Sequence, residues 1–155
     1  MSASALSLRG RALRYLAARE HSRVELRRKL GPHAESAEQV DAVLDLLESQ
    51  GLLSAQRFAE SVVHRKAARF GAARVQAELA QHRLPDDIAR EAVLALRETE
   101  FARAHGVWAR RYGQPAADPA ERARQARFLA GRGFSPEVIR RVVRGDGLSD
   151  ETGSS

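Results

Sequence analysis

The stretches RVELRRKL (Arg23–Leu30), RVQAELAQHRL (Arg74–Leu84) and RARQARFLAGRGF (Arg122–Phe134) decide the fold. Each carries an apolar step, at Leu26, Leu79 and Leu129, inside an arginine-rich segment with helical spacing. The steps lie 53 and 50 residues apart. A period of that length, with no strand pattern inside it, is the signature of tandem helical units that bury their faces against neighbours.

Working outward, the segments around each step open and close like helices. Ser22 is followed by Glu25 and Ser36 by Gln39, the capping-box spacing in which each side chain satisfies an orphan backbone donor. Asp118-Pro119 and Ser135-Pro136 put a capping side chain directly before proline at the first helical position. Leu84-Pro85-Asp86-Asp87 reads as a similar opening. Gly31, Gly51, Gly71, Gly113, Gly133 and Gly145 stand where helices should stop, and Gly10 reads as an isolated turn residue. Val40, Val43, Leu44 and Leu47 follow one helix face, as do Phe101, His105, Trp108 and Tyr112.

These signals predict nine helices, at 7–18, 22–30, 36–50, 54–69, 72–82, 86–97, 98–112, 119–131 and 136–144. The fold class is all-α: three tandem three-helix repeats, elongated and curved. The repeats span 1–53, 54–97 and 98–145, and 146–155 reads as a loose polar tail. The competing reading is a single nine-helix globule with coincidental spacing.

Composition narrows the function. The 155 residues carry a net charge of +6, and all but Lys29 and Lys66 of the 26 basic side chains are arginine. A GC-rich genome would bias a chain this way, yet a basic balance favours a polyanion or an acidic protein surface. There is no cysteine, so neither a disulfide frame nor a thiolate metal site is expected. No apolar run is long enough for a membrane helix. The opening MSASALSLRG lacks the apolar core of a secretory signal. A cytoplasmic monomer is expected, with no membrane contact.

The basic residues fall in ridges. Arg23, Arg27, Arg28 and Lys29 form the first, Arg65, Lys66, Arg69 and Arg74 the second, and Arg127, Arg132, Arg140 and Arg141 belong to the third. Such ridges suit a phosphate backbone or an acidic groove. The plain reading set against this is that each face is solvated and opposite signs pair between neighbouring helices. Base-specific reading is not expected: there is no asparagine, and arginine serves phosphates as well as guanine. Phe58, Phe70, Phe101, Trp108, Tyr112 and Phe128 lie on or beside apolar stripes and are expected to pack in the core, as is Phe134.

No catalytic constellation emerges. There is no phosphate-binding GxxxxGK[ST] loop and no HExxH, and His21, His33, His64, His82 and His105 lack metal-ligand spacing. His105, on an apolar stripe, is expected to be a hydrogen-bonded core histidine. Asp86 and Asp87 suit a helix start without any catalysis. A binding module without catalytic residue, cofactor or metal is expected.

Three segments resemble the RecX family of recombination regulators: YLAAREHSRVEL (Tyr15–Leu26), GLLSAQRFAESVVHR (Gly51–Arg65) with the GAARVQAEL that follows, and RFLAGRGFSPEVIRRV (Arg127–Val142). The resemblance covers nearly the whole chain. It implies a small cytoplasmic protein of tandem three-helix repeats that lies in the groove of the RecA nucleoprotein filament. It implies inhibition of RecA's ATPase, strand-exchange and co-protease activities, and so modulation of DNA repair, recombination and the SOS response. It also implies contact with DNA in some members, and no catalytic residue. The twelve ridge residues are the contact candidates for RecA or DNA. A helical DNA-binding transcription regulator and a helical-repeat adaptor for another acidic partner stay open.

Overall fold

The computed structural model describes residues 6–146. Among them are nine α-helices and no strand: α1 (Leu8–Ala18), α2 (Arg23–Leu30), α3 (Ala37–Ser49), α4 (Ala55–Lys66), α5 (Ala72–Ala80), α6 (Asp86–Glu98), α7 (Glu100–Arg111), α8 (Pro119–Gly131) and α9 (Pro136–Val143). A short 3₁₀ turn, Gly31–His33, follows α2. The loose tail expected over 146–155 lies, except for Asp146, outside the described residues.

Local chemistry sets most helix starts. Ser7, Ser22, Ser36, Ser54, Asp118 and Ser135 sit in extended backbone, and each side chain accepts the N–H three residues on. Each such cap contributes about 1 kcal/mol. Ser22 and Glu25 complete a reciprocal capping box. Ser36 does not: the Gln39 side chain accepts the N–H of Glu35 instead. The opening at Leu84–Asp87 has no side-chain cap, because Pro85 occupies the capping position; Asp86 and Asp87 serve the first turn through the helix dipole.

Two glycine readings change. Gly31 closes α2 as expected, in right-handed helical backbone that leads into the 3₁₀ turn. Gly10, by contrast, lies inside α1. Gly71 opens α5 rather than ending α4, which stops at Lys66, short of the expected residue 69. Beyond that end, the carbonyls of Ala67, Ala68, Arg69 and Phe70 accept bonds from arginines of the third unit.

Each triplet closes its own core. Leu26, Leu30, Val40, Leu44 and Leu47 pack with Ala12 in the first. Phe58, Val62, Val75, Leu79 and Leu96 fill the second. Trp108, Leu129, Phe134, Ile139 and Val142 fill the third. The three recurring leucines are thus core residues of separate units, each worth roughly 1.5–3 kcal/mol on burial. Helices pack closely within a triplet, and α6 against α7 is the closely packed helix pair that joins one triplet to another. The fold is therefore a linear array with nearest-neighbour joints.

The two joints differ. Between the first and second units the contacts are side chains: Arg57 Nε meets Glu20 Oε1 at 2.9 Å, and Ser22 Oγ lies 2.7 Å from His82 Nδ1. Between the second and third units backbone meets backbone. The Gly71 N–H donates to the Arg132 carbonyl at 2.8 Å. A β-carbon on Gly71 would stand 2.3 Å from the Gly133 carbonyl oxygen, and one on Gly133 2.5 Å from Arg74 Cβ. Only glycines allow this approach.

Candidate functional site

The first ridge is largely neutralised. On α2, Arg23 reaches Asp45 at 2.7 Å, Glu48 at 3.3 Å and Asp41 at 3.6 Å, and Arg27 reaches Asp41 at 3.0 Å. The acids stand at 41, 45 and 48, one face of α3. Lys29 lies 4.7 Å over the Tyr15 ring, with its Nζ 2.9 Å from His21 Nε2. Arg28 is exposed and in no ion pair among the described residues. Arg23, Arg27, Arg57, His82 and Arg83 line a cleft of about 690 Å³ at this joint, together with Glu48. Arg83, in the turn that follows α5, has φ of +47°, the left-handed region that costs a non-glycine residue about 1 kcal/mol or more.

Buried polar groups hold the same joint. Glu25 is 7% exposed and bonds Arg19 Nη2 at 2.6 Å and the Ser22 N–H at 3.1 Å. Burial pushes its carboxyl up, but the Arg19 guanidinium and the Ser22 N–H outweigh that and hold it at about 2. Burial lowers the affinity of His21 and His82 for a proton, and nearby cations add to it. Phe58 packs on the His82 ring at 4.5 Å.

The second ridge is different. Arg65, Arg69 and Arg74 are exposed and in no ion pair among the described residues; Lys66 has one, to Glu78 at 3.7 Å. Lys66, Arg69, Arg74 and Arg132 surround the half-buried ring of Phe70, with Arg74 nearest at 4.2 Å. Phe70 packs against the second core from its buried side. Its exposed face is covered by cations, a favourable arrangement with the ring quadrupole.

The sequence reading did not single out Arg103, Arg110 and Arg111 on α7. Arg103, half-buried, donates to the Ala67, Phe70 and Leu96 carbonyls at 2.9, 2.6 and 2.6 Å. It is in no ion pair among the described residues, and burial lowers its affinity for a proton. Arg110 donates to the Ala68 carbonyl, Arg132 to that of Arg69 and Arg74 to that of Gly131. These guanidiniums satisfy carbonyls left open where α4, α6 and α8 end. Pairing with a neutral carbonyl leaves the cation's full charge in place.

In the third unit, Arg127 and Arg140 are exposed and in no ion pair among the described residues. Arg141 lies 4.1 Å over Phe101 and 3.9 Å from Asp146. Arg140 lines an apolar groove between α8 and α9 with Arg122 and Arg144. Trp108 is fully buried, its indole N–H donating to Gln125 Oε1 at 2.9 Å. Phe134 packs in the core as expected. His105 does not meet expectation: its buried Nε2 has no hydrogen-bond partner among the described residues, and its ring lies 6.3 Å from that of Phe101 and 5.6 Å from that of Trp108.

No group of three or more metal-ligating side chains comes together among the described residues, and none of their helices is long and apolar enough to cross a membrane. Three separately cored helical triplets, joined in line at arginine-bearing junctions, define a helical-repeat protein. Family models match all three triplets: the first three-helix domain of RecX at 9–47, the second at 56–93 and the third at 98–143. The chain belongs to the RecX family of regulatory proteins. It is 56% identical over 147 residues to the regulatory protein RecX of Ralstonia nicotianae, covering 94% of this chain and 92% of that one. It is 57% identical to that of Leptothrix cholodnii, covering 90% and 88%. The crystal structure of RecX from Lactobacillus salivarius superposes with a TM-score of 0.76 at 20% identity, over 91% and 95% of the two chains.

Proposed function

We propose that this chain is a non-catalytic, cytoplasmic regulator of the RecA recombinase, acting as a monomer along the RecA–DNA filament. The observation that carries the reading is family membership over all three units. A linear array of nearest-neighbour units supports it physically, because such an array presents one continuous surface to an extended partner. By lying in the filament groove and bridging protomers, it restrains the interfaces where ATP is held. It thereby lowers ATPase, strand-exchange and co-protease activity, with consequences for repair, recombination and the SOS response. No chemistry of its own is needed.

The contact surface is drawn from the unneutralised cations: Arg28, Arg65, Arg69, Arg74, Arg127, Arg132 and Arg140. Arg23, Arg27, Lys66 and Arg141 contribute less, because acids already hold them, and Lys29 because it is half-buried against His21. Some of these cations face DNA within the filament. The test is RecA's DNA-dependent ATPase with the chain titrated in at fixed salt. Inhibition at stoichiometric amounts is expected. Unchanged turnover on a fully formed filament removes the reading.

A further inference from the structure

A cleft of about 500 Å³ lies where the second unit meets the third. Ala68, Arg69, Val107, Arg110, Arg111, Phe128 and Arg132 line it, so four of its seven walls are guanidiniums and none is a carboxylate. None of the four is in an ion pair among the described residues. The contrast with the other joint is direct, since there Arg23, Arg27 and Arg57 are each bound to acids.

Two of the four are anchored without being discharged. Arg110 spends one bond on the Ala68 carbonyl and Arg132 one on that of Arg69, both at 3.3 Å. A guanidinium carries five N–H donors, so most remain for a ligand. Arg111 donates no bond among the described residues and stands 5.0 Å from the Phe128 ring. Capping open carbonyls accounts for Arg110 and Arg132, and the Phe70 ring holds Arg69. Neither bond nor acid accounts for Arg111, which adds a fourth like charge to the cleft.

The ligand follows from the charge and from the rings. Several converging guanidiniums with no acid among them fit phosphate oxygens, which accept paired N–H bonds. The aromatic faces are not free for base stacking: Phe128 is already flanked by Arg111 and Arg132, at 5.0 and 5.1 Å. A cleft this size admits a strand backbone but not a duplex. We infer that the junction of the second and third units is a phosphate site that grips the backbone of single-stranded nucleic acid, without regard to sequence. This rests on the reading above that some cations of the array face DNA, and it locates them.

The test uses the full chain without RecA, so that its failure is separate from failure of the RecA reading. A fluorescent thymidine oligonucleotide is titrated by anisotropy across a salt series. With three or four phosphates held, the logarithmic salt slope should be about −2 to −3, near −0.7 per contact. Arg111→Gln should make the slope shallower by about 0.7 while circular dichroism stays native, because this side chain is exposed and donates no bond among the described residues. Arg14→Gln removes an equal charge from an exposed position on α1 and should leave the slope unchanged. Equal slopes for Arg111→Gln and the unaltered chain overturn the assignment. ATP is the second probe. Binding of ATP with none of the oligonucleotide also overturns it, and would give the cleft to free nucleotides.

Discussion

Replacing Gly71 by alanine tests the joint between the second and third units with one carbon atom. Its φ of −77° and ψ of 169° are ordinary for any residue, so alanine meets no backbone strain. The added Cβ would stand 2.3 to 2.4 Å from the carbonyl oxygen and carbon of Gly133 and the nitrogen of Phe134. All three are backbone atoms that no side-chain rotation can clear, so the two units must separate. Overpacking of this kind costs about 1–3 kcal/mol. Losing the bond from the Gly71 N–H to the Arg132 carbonyl costs about 1 kcal/mol more. Alanine gains back about 0.4–1 kcal/mol by restricting the unfolded chain. The net loss is about 1–3 kcal/mol, or a fall in Tm of roughly 3–10 °C for a chain of this length. Urea unfolding followed by helical circular dichroism measures it. Gly106→Ala is the reference, since it lies inside α7 and nothing outside its own helix backbone and chain neighbours stands within 4 Å of its Cβ position. Gly71→Ala as stable as Gly106→Ala would refute the close approach.

Arg103→Met should lose about 2–4 kcal/mol, because three carbonyls lose a charged donor at the ends of α4 and α6; thermal unfolding reads this, and loss under 0.5 kcal/mol would show the bonds carry little. Acid should loosen the first joint. The Glu25 carboxyl is held below its unfolded value of 4.5, so its stabilisation is fully present above 4.5 and disappears as pH falls toward 2. With Arg19 half-exposed and screened, about 2 kcal/mol is at stake. His21 and His82 act in the same sense, beginning below about 6.5, because the unfolded chain takes up their protons first. A urea midpoint that falls across this range in the unaltered chain and less in Glu25→Gln checks the assignment.

What was legible in the chain was what is local. Ser22, Asp118 and Ser135 announce helix starts because a cap acts within three residues. Leu26, Leu79 and Leu129 announce three cores because burial imposes helical spacing on each unit. The arginines were a different matter, since one guanidinium looks like another in a sequence. Arg23 is neutralised by acids 18 to 25 residues away, and the only local hint was the spacing of Asp41, Asp45 and Glu48 on one face of α3. Arg103, Arg110 and Arg111 bond or face the ends of other helices, which no spacing records. Gly71 was misplaced because a glycine after one helix is also a glycine before the next. Its reason for being there, the backbone of Gly133 against it, is distant in the chain.

The most direct measurement is binding of the fluorescently labelled chain to preformed RecA filaments on single-stranded DNA, by anisotropy at fixed salt, with free DNA and free RecA as separate titrations. Saturable binding to the filament, tighter than to either component alone and weakened by joint charge reversal of Arg65 and Arg69, is the expected result. Binding to the filament no tighter than to bare DNA would contradict the proposal that this array regulates RecA by lying along its filament.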